Sequence, residues 1–158
     1  MSAPCARPLR DLLQAQQVAS LGTLHQGRPY VSMVPFALLP GGADFIIHVS
    51  QLAAHTKDML SCPQVSLLVI APPTPGVIAQ ELARITLQGE AAQVASGTPD
   101  HAAAKAAYLS RFPQSEPMFG FSDFSLFVIV PTSIRFVGGF AQATTISPAT
   151  FASLLNEG

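Results

Sequence analysis

The segment Ser50-Gln-Leu-Ala-Ala-His55-Thr56-Lys57 places hydroxyls, an imidazole and an ammonium within eight residues, after a β-like run and at the start of a helix-like one. A helix N-terminus offers free N–H groups and a partial positive charge. With these side chains added, it suits a phosphate dianion. The same residues also read as a strand-to-helix turn with a capping Ser50 and a solvated Lys57. A second candidate is the strand Arg28-Pro-Tyr-Val-Ser-Met-Val-Pro35-Phe36. Pro35 removes a ladder donor there, so the strand lies at an edge or is bulged. Neighbouring backbone groups are then free for a ligand or a second subunit, or the bulge relieves curvature. A third is Gln88, between Leu87 and Gly89. A buried amide must find partners, and Gly89 admits a close backbone approach. An exposed glutamine on a solvent face is the other reading.

Other chemistries lack their motifs. GxGxxG, GxxxxGK[ST] and GxSxG are absent, which removes the Rossmann, P-loop and hydrolase-elbow readings. His25, His48, His55 and His101 have no HExxH-like spacing, and Cys5 and Cys62 are far apart with no CxxC. No metal site or disulfide framework is expected. Eight Lys+Arg against nine Asp+Glu give a net charge of -1 over 158 residues. That is too few cations for nucleic-acid binding by counterion release or for a polybasic membrane anchor. Disorder is excluded by a 49% hydrophobic content. The longest wholly apolar runs, such as Leu67–Ala71 and Leu126–Val130, fall far short of the roughly 20 residues that span a bilayer. Pro4, Arg7, Pro8, Arg10 and Asp11 interrupt any signal-peptide core. A soluble, cytoplasmic chain follows, with its apolar excess in a core, a pocket or, foremost, a subunit interface.

The elements that must position these residues alternate between two periods. Leu9, Leu12, Leu13 and Gln16 mark a helix over about 8–19. Val18–His25, a Gln26-Gly27 turn and Pro29–Leu39 read as a hairpin. Asp44–Val49 is a third strand, and Ser50 to Ser61 a helix. Val65–Ala71 and residues 82–94 are further strands, the latter with Arg84, Thr86 and Gln88 on one face and Ile85 and Leu87 on the other. Thr98 or Asp100 caps an alanine-rich helix to about Phe112. Ser125–Val130 and Ser133–Val137 form two strands around a break at Pro131. A final helix runs over about 147–156 from a Ser-Pro start. One domain over 1–158 is expected, mainly β, with antiparallel strands closing into a small barrel flanked by helices.

Five stretches carry a resemblance in their order. They are Ala19-Ser-Leu-Gly-Thr-Leu24, Gly27-Arg-Pro-Tyr-Val-Ser-Met-Val-Pro-Phe36, His48-Val-Ser-Gln-Leu-Ala-Ala-His-Thr-Lys57, Arg84-Ile-Thr-Leu-Gln-Gly89 and Phe119-Gly-Phe-Ser-Asp-Phe-Ser-Leu-Phe127, followed by Val137-Gly-Gly-Phe140. The chain thereby resembles the pyridoxamine 5′-phosphate oxidase-like, FMN-binding split-barrel superfamily, most nearly its haem-utilisation-type branch. The resemblance implies a six-stranded antiparallel split barrel that forms a homodimer with FMN at the interface. It lays Ser32, Met33, Val34 and Pro35 along the isoalloxazine ring. It gives Ser50, His55, Thr56 and Lys57 to the ribityl phosphate, with Arg28 or Arg84 as a second charge. It brings Gln88 to the flavin ring or ribityl chain and Phe140 to the wall.

An FMN-dependent oxidoreductase acting on an unknown small molecule is the function this implies. The alternatives are a haem-binding or haem-degrading protein and a non-catalytic dimeric binding module. Haem-degrading members of the branch carry a further C-terminal segment, and this sequence ends at Gly158 with no histidine after His101. His48, His55 and His101 then remain as candidate haem ligands.

Overall fold

The computed structural model describes residues 5–139 and 142–157. Alternation organises the first hairpin. In β1 (Val18–His25) Ala19, Leu21 and Thr23 are buried, and Val18, Leu24 and their like face outward. β1 pairs antiparallel with β2 (Arg28–Pro35) across Gln26 and Gly27, both at positive φ (53° and 78°). This is the two-residue turn geometry that matches strand twist.

The strand expected over 29–39 is broken at Phe36. Beyond it the chain resumes as β3 (Ala37–Leu38), which pairs with β4 (Phe45–Ser50). The Phe36 N–H leaves the ladder and donates to the Gln17 carbonyl (3.1 Å). The sheet runs β2-β1-β5-β6-β7-β4-β3, through β5 (Gln64–Ile70), β6 (Arg84–Gln93) and β7 (Phe124–Val137). It therefore begins and ends on strands that Phe36 alone separates in sequence. The antiparallel sheet curls into a half-barrel, the form of a split-barrel fold. β2 stands at one end of the path, the edge position expected from Pro35.

Two expectations need correction. Pro131 does not split a strand: β7 is continuous over Phe124–Val137. The register shifts there, Gln88 facing Ser133 and Gly89 facing Pro131. Thr132 is the extra residue of a bulge, and a bulge is where a strand tolerates a missing donor. The described residues hold eight strands rather than six. The additional ones are the two-residue β3 and β8 (Ala143–Ile146), which pairs with β7.

Helices α1 (Ala6–Ala15), α2 (Ala54–Ser61), α3 (Pro99–Arg111) and α4 (Pro148–Asn156) flank the sheet. α1 stops at Ala15, short of 19, because β1 claims the residues from Val18. α3 starts behind Thr98, which accepts from the His101 N–H (3.2 Å). α4 starts behind Ser147, which accepts from the Thr150 N–H (3.1 Å). Leu9, Leu21, Phe36, Phe45, Leu67, Ile85, Phe136 and Phe151 fill the main core. β4 is buried on both faces, because α3 packs Ala104 and Tyr108 against Ile46 on the side away from that core. No helix among the described residues is long and apolar enough to cross a membrane.

Candidate functional site

A polar cluster sits where α2 crosses the β1–β2 hairpin. Thr23 and His25 share one face of β1, two residues apart. Asp58, in the second half of α2, reaches both. The Thr23 hydroxyl donates to Asp58 Oδ2 (2.7 Å) and His25 Nδ1 lies 2.7 Å from Asp58 Oδ1. An ionised carboxylate only accepts, so the proton shared by this pair belongs on Nδ1. Asp58 is 4% exposed. Burial works against its charge, but hydrogen bonds from Thr23 and His25 and the nearby His25 and His55 rings outweigh it. The carboxyl is held below the usual aspartate range. One turn earlier on α2, His55 Nδ1 lies 3.0 Å from the Ser32 hydroxyl. Burial lowers the His55 pKa, and the Asp58 charge opposes that shift.

Of the residues singled out for the flavin, Ser32 and His55 are thus in contact. The others are dispersed. α2 begins at Ala54 rather than Ser50, and Ser50 closes β4. The Ser50 hydroxyl donates to Asp123 Oδ2 (3.2 Å) and accepts from the Leu52 N–H (3.1 Å). Thr56 is fully buried and donates to the Ser50 carbonyl (2.6 Å). Both hydroxyls are engaged in holding the turn, and Asp123 puts a carboxylate beside it. Lys57 is exposed on the next position of α2.

Val34 is buried at 2%, whereas Met33 is 62% exposed. Pro35 is half-buried at the end of β2. The Arg84 guanidinium donates to the Gln80 (3.1 Å) and Leu82 (3.0 Å) carbonyls. Arg28 is exposed at the hairpin end, directly across the ladder from His25. Gln88 is exposed and shares a cross-strand row with Ser66, Gly22 and Val31. Ser32 sits in the next row, with Leu21, Leu67 and Leu87, and so on the opposite face of the sheet. Phe140 lies outside the described residues.

The Gln88 row floors a groove of about 630 Å³. Leu24, Pro29, Tyr30, Val31 and Val65 supply apolar walls. Gln64, Ser66, Gln88 and Thr132 supply polar edges. The Tyr30 ring lies 5.4 Å from the His25 ring, and His25 itself is on the opposite face of β1 from the Gly22 row.

His48 lies elsewhere, in the second core. It is 7% exposed and stacks on Phe119 with ring centres 3.9 Å apart, with Tyr108 and Phe124 beside it. Its Nδ1 has no hydrogen-bond partner. Burial, then the His101 and Lys105 charges, push its pKa down to about 4. It is a neutral core histidine rather than an open ligand. Sequence reasoning passed over Thr23, His25 and Asp58. Their signal was the one-face spacing of Thr23 and His25 and the i, i+3 spacing of His55 and Asp58.

Comparison with known proteins places this geometry in context. The sequence profile of the pyridoxamine 5′-phosphate oxidase family matches residues 7–138. The chain is 38% identical over 138 residues to the chloroplastic haem oxygenase HOZ of Arabidopsis thaliana, covering 85% of this chain and 40% of that protein. It is 28% identical over 141 residues to the haem oxygenase HutZ of Vibrio cholerae, covering 88% and 79%. A solved haem-binding protein of Mycobacterium smegmatis superposes with a TM-score of 0.84 at 28% identity, covering 97% of this chain and 62% of that one. The chain therefore spans less than two thirds of the plant and mycobacterial proteins.

Proposed function

The chain belongs to the pyridoxamine 5′-phosphate oxidase family, in its haem-utilisation branch, and from that premise we propose that it binds haem in the groove of β1, β2, β5 and β6. The observation that carries this reading is the groove itself. Its volume of about 630 Å³ lies within the roughly 300–1,000 Å³ of small-molecule sites, which are mostly apolar with a few placed polar groups. Leu24, Tyr30, Val31 and Val65 would cover an apolar macrocycle face and exclude water from it. Gln64 and Gln88 would meet the carboxylates at its rim.

The ground for a flavin phosphate is weaker. Thr56 and Ser50 hold one another, Arg84 is tied to backbone carbonyls, and Asp123 opposes an anion beside Ser50. Of the expected cradle, Lys57 and Arg28 are exposed cations.

Bound haem would supply iron that, reduced and in air, directs oxygen to its own macrocycle. The protein's part would be to orient the plane and keep the site dry. The names of the relatives, two haem oxygenases and a haem-binding protein, support this activity. A homodimer accompanies the proposal: Val31 and Met33, 70% and 62% exposed, give the β2 edge an apolar outer face suited to a subunit interface.

The activity is tested on hemin-loaded protein given ascorbate in air with catalase present. Decay of the Soret band with release of chelatable iron is expected. A Soret band that persists through complete reduction would remove the oxygenase part and leave a haem carrier.

A further inference from the structure

We propose, on the haem-binding reading above, that the groove recognises the flat macrocycle rather than its iron, and that Gly22 and Ser66 set this specificity. None of His25, His48, His55 and His101 is among the residues that line the groove, and neither is a cysteine or methionine. The lining offers the iron neither imidazole nor sulfur, so it must hold the ring itself.

Val31, Gly22, Ser66 and Gln88 are direct ladder partners across four strands, and so form one row on one face of the sheet. At about 4.8 Å between strands the row is about 14 Å long. Its middle is bare. Gly22 has no side chain, and the Ser66 hydroxyl folds over it, into the place a Gly22 Cβ would take. Two residues along, Leu24 on β1 and Leu68 on β5 rise from the same face, one on each side of the row. The floor is therefore a trough between taller rows.

A glycine inside a strand marks a place where something approaches the backbone closely. A plate gains contact over its whole face only if nothing lifts it from the floor. A gap of about 0.5–1 Å already forfeits a quarter to a half of each contact. The two ends of the trough also differ. Val31 is apolar and 70% exposed. Gln88 is polar, and the β7 bulge brings the Thr132 hydroxyl onto its carbonyl (3.2 Å). One apolar end and one polar end suit a plate whose carboxylates lie along one edge.

The test titrates hemin and, separately, metal-free protoporphyrin IX into wild type, Ser66→Val, Ser66→Leu and Thr86→Leu, followed by absorbance and porphyrin fluorescence. Circular dichroism checks the fold of each. Thr86 is exposed on the same face of β6 as Gln88 and does not line the groove. Wild type is expected to bind both probes with similar affinity, and Thr86→Leu to match it. Ser66→Val is expected to weaken both probes, and Ser66→Leu to weaken both by about tenfold or more, because each added carbon lifts the plate. If Ser66→Leu does not fold, the smaller Ser66→Val carries the comparison. Unchanged affinity in the folded Ser66 variants overturns the assignment and leaves haem binding standing. Hemin binding by wild type without protoporphyrin binding does the same, and would point to an iron ligand such as the Tyr30 phenol. Failure of wild type to bind hemin overturns both.

Discussion

The Ser66 hydroxyl occupies the space above Gly22 that a Cβ would fill, across the β1–β5 ladder at the floor of the groove. A flat floor follows, because neither residue projects a carbon chain into it. Gly22→Ala should drive Ser66 from its rotamer at a cost of about 0.5–1.5 kcal/mol. Adding Ser66→Ala should recover most of that in a double-mutant cycle by denaturant unfolding. Additive losses would mean that the two side chains do not compete for one space.

Gly89 is a harsher case. A Cβ there would lie 2.6 Å from the Val130 carbonyl oxygen, beside the β6–β7 bulge. Backbone oxygen cannot rotate away, so the strands must separate. Gly89→Ala should cost about 2–3 kcal/mol, at the upper range for overpacking, and clearly more than Gly22→Ala. Equal losses in the same unfolding assay would contradict this.

Acid stability should fall in two steps. His48 titrates near 4 in the folded protein against 6.5 ordinarily. Between those values the unfolded chain binds the extra proton, so stability declines as pH falls from 6.5 to 4, by at most about 1.4 kcal/mol per unit. Asp58 is depressed, so its contribution is complete above the ordinary aspartate value and is lost only as pH falls through its lower folded one. His48→Phe, which keeps a ring against Phe119 and removes the unpartnered Nδ1, should flatten the upper step. Asp58→Asn should flatten the lower one. Melting temperature against pH measures both, and an unchanged upper step in His48→Phe would place the titrating group elsewhere.

Arg111 ties α3 to the end of α1. Its Nη2 donates to the carbonyls of Leu13 (3.0 Å), Gln14 (3.4 Å) and Gln16, and its guanidinium lies 5.1 Å from the Phe36 ring centre. Burial lowers its pKa. Lysine cannot reproduce a planar fork that meets several acceptors. Arg111→Lys should cost about 1–2 kcal/mol and Arg111→Met about 1–3 kcal/mol by leaving the carbonyls unpaired. Loss of protection at the amides of Leu12 to Gln17 in hydrogen exchange would localise the effect, and unchanged exchange would count against the clamp.

Local signals carried most of the fold. The Gln26-Gly27 turn, the alternation in β6 and the caps at Thr98 and Ser147 are each written within a few residues. What failed was non-local. Pro131 reads as a break because its missing donor is visible in sequence, whereas the facing Gly89 that accommodates it lies 42 positions earlier. β8, Ala143-Thr-Thr-Ile146, carries no apolar alternation and forms because β7 offers it an edge. The site divides the same way. Ser32 and His55 were named separately and meet at 3.0 Å. Asp58 was overlooked because its meaning lies in His25, 33 residues away. The flavin cradle read from Ser50 to Lys57 supposed a helix start at Ser50. The helix starts four residues later, and the hydroxyls close the turn instead.

Haem binding is tested most directly by titrating the purified chain with hemin and, separately, with FMN, following absorbance and flavin fluorescence. A saturable Soret change at one hemin per groove, with no saturable FMN quenching at the same protein concentration, is the predicted result. Saturable FMN binding with no Soret change would contradict the account and return the site to the flavin.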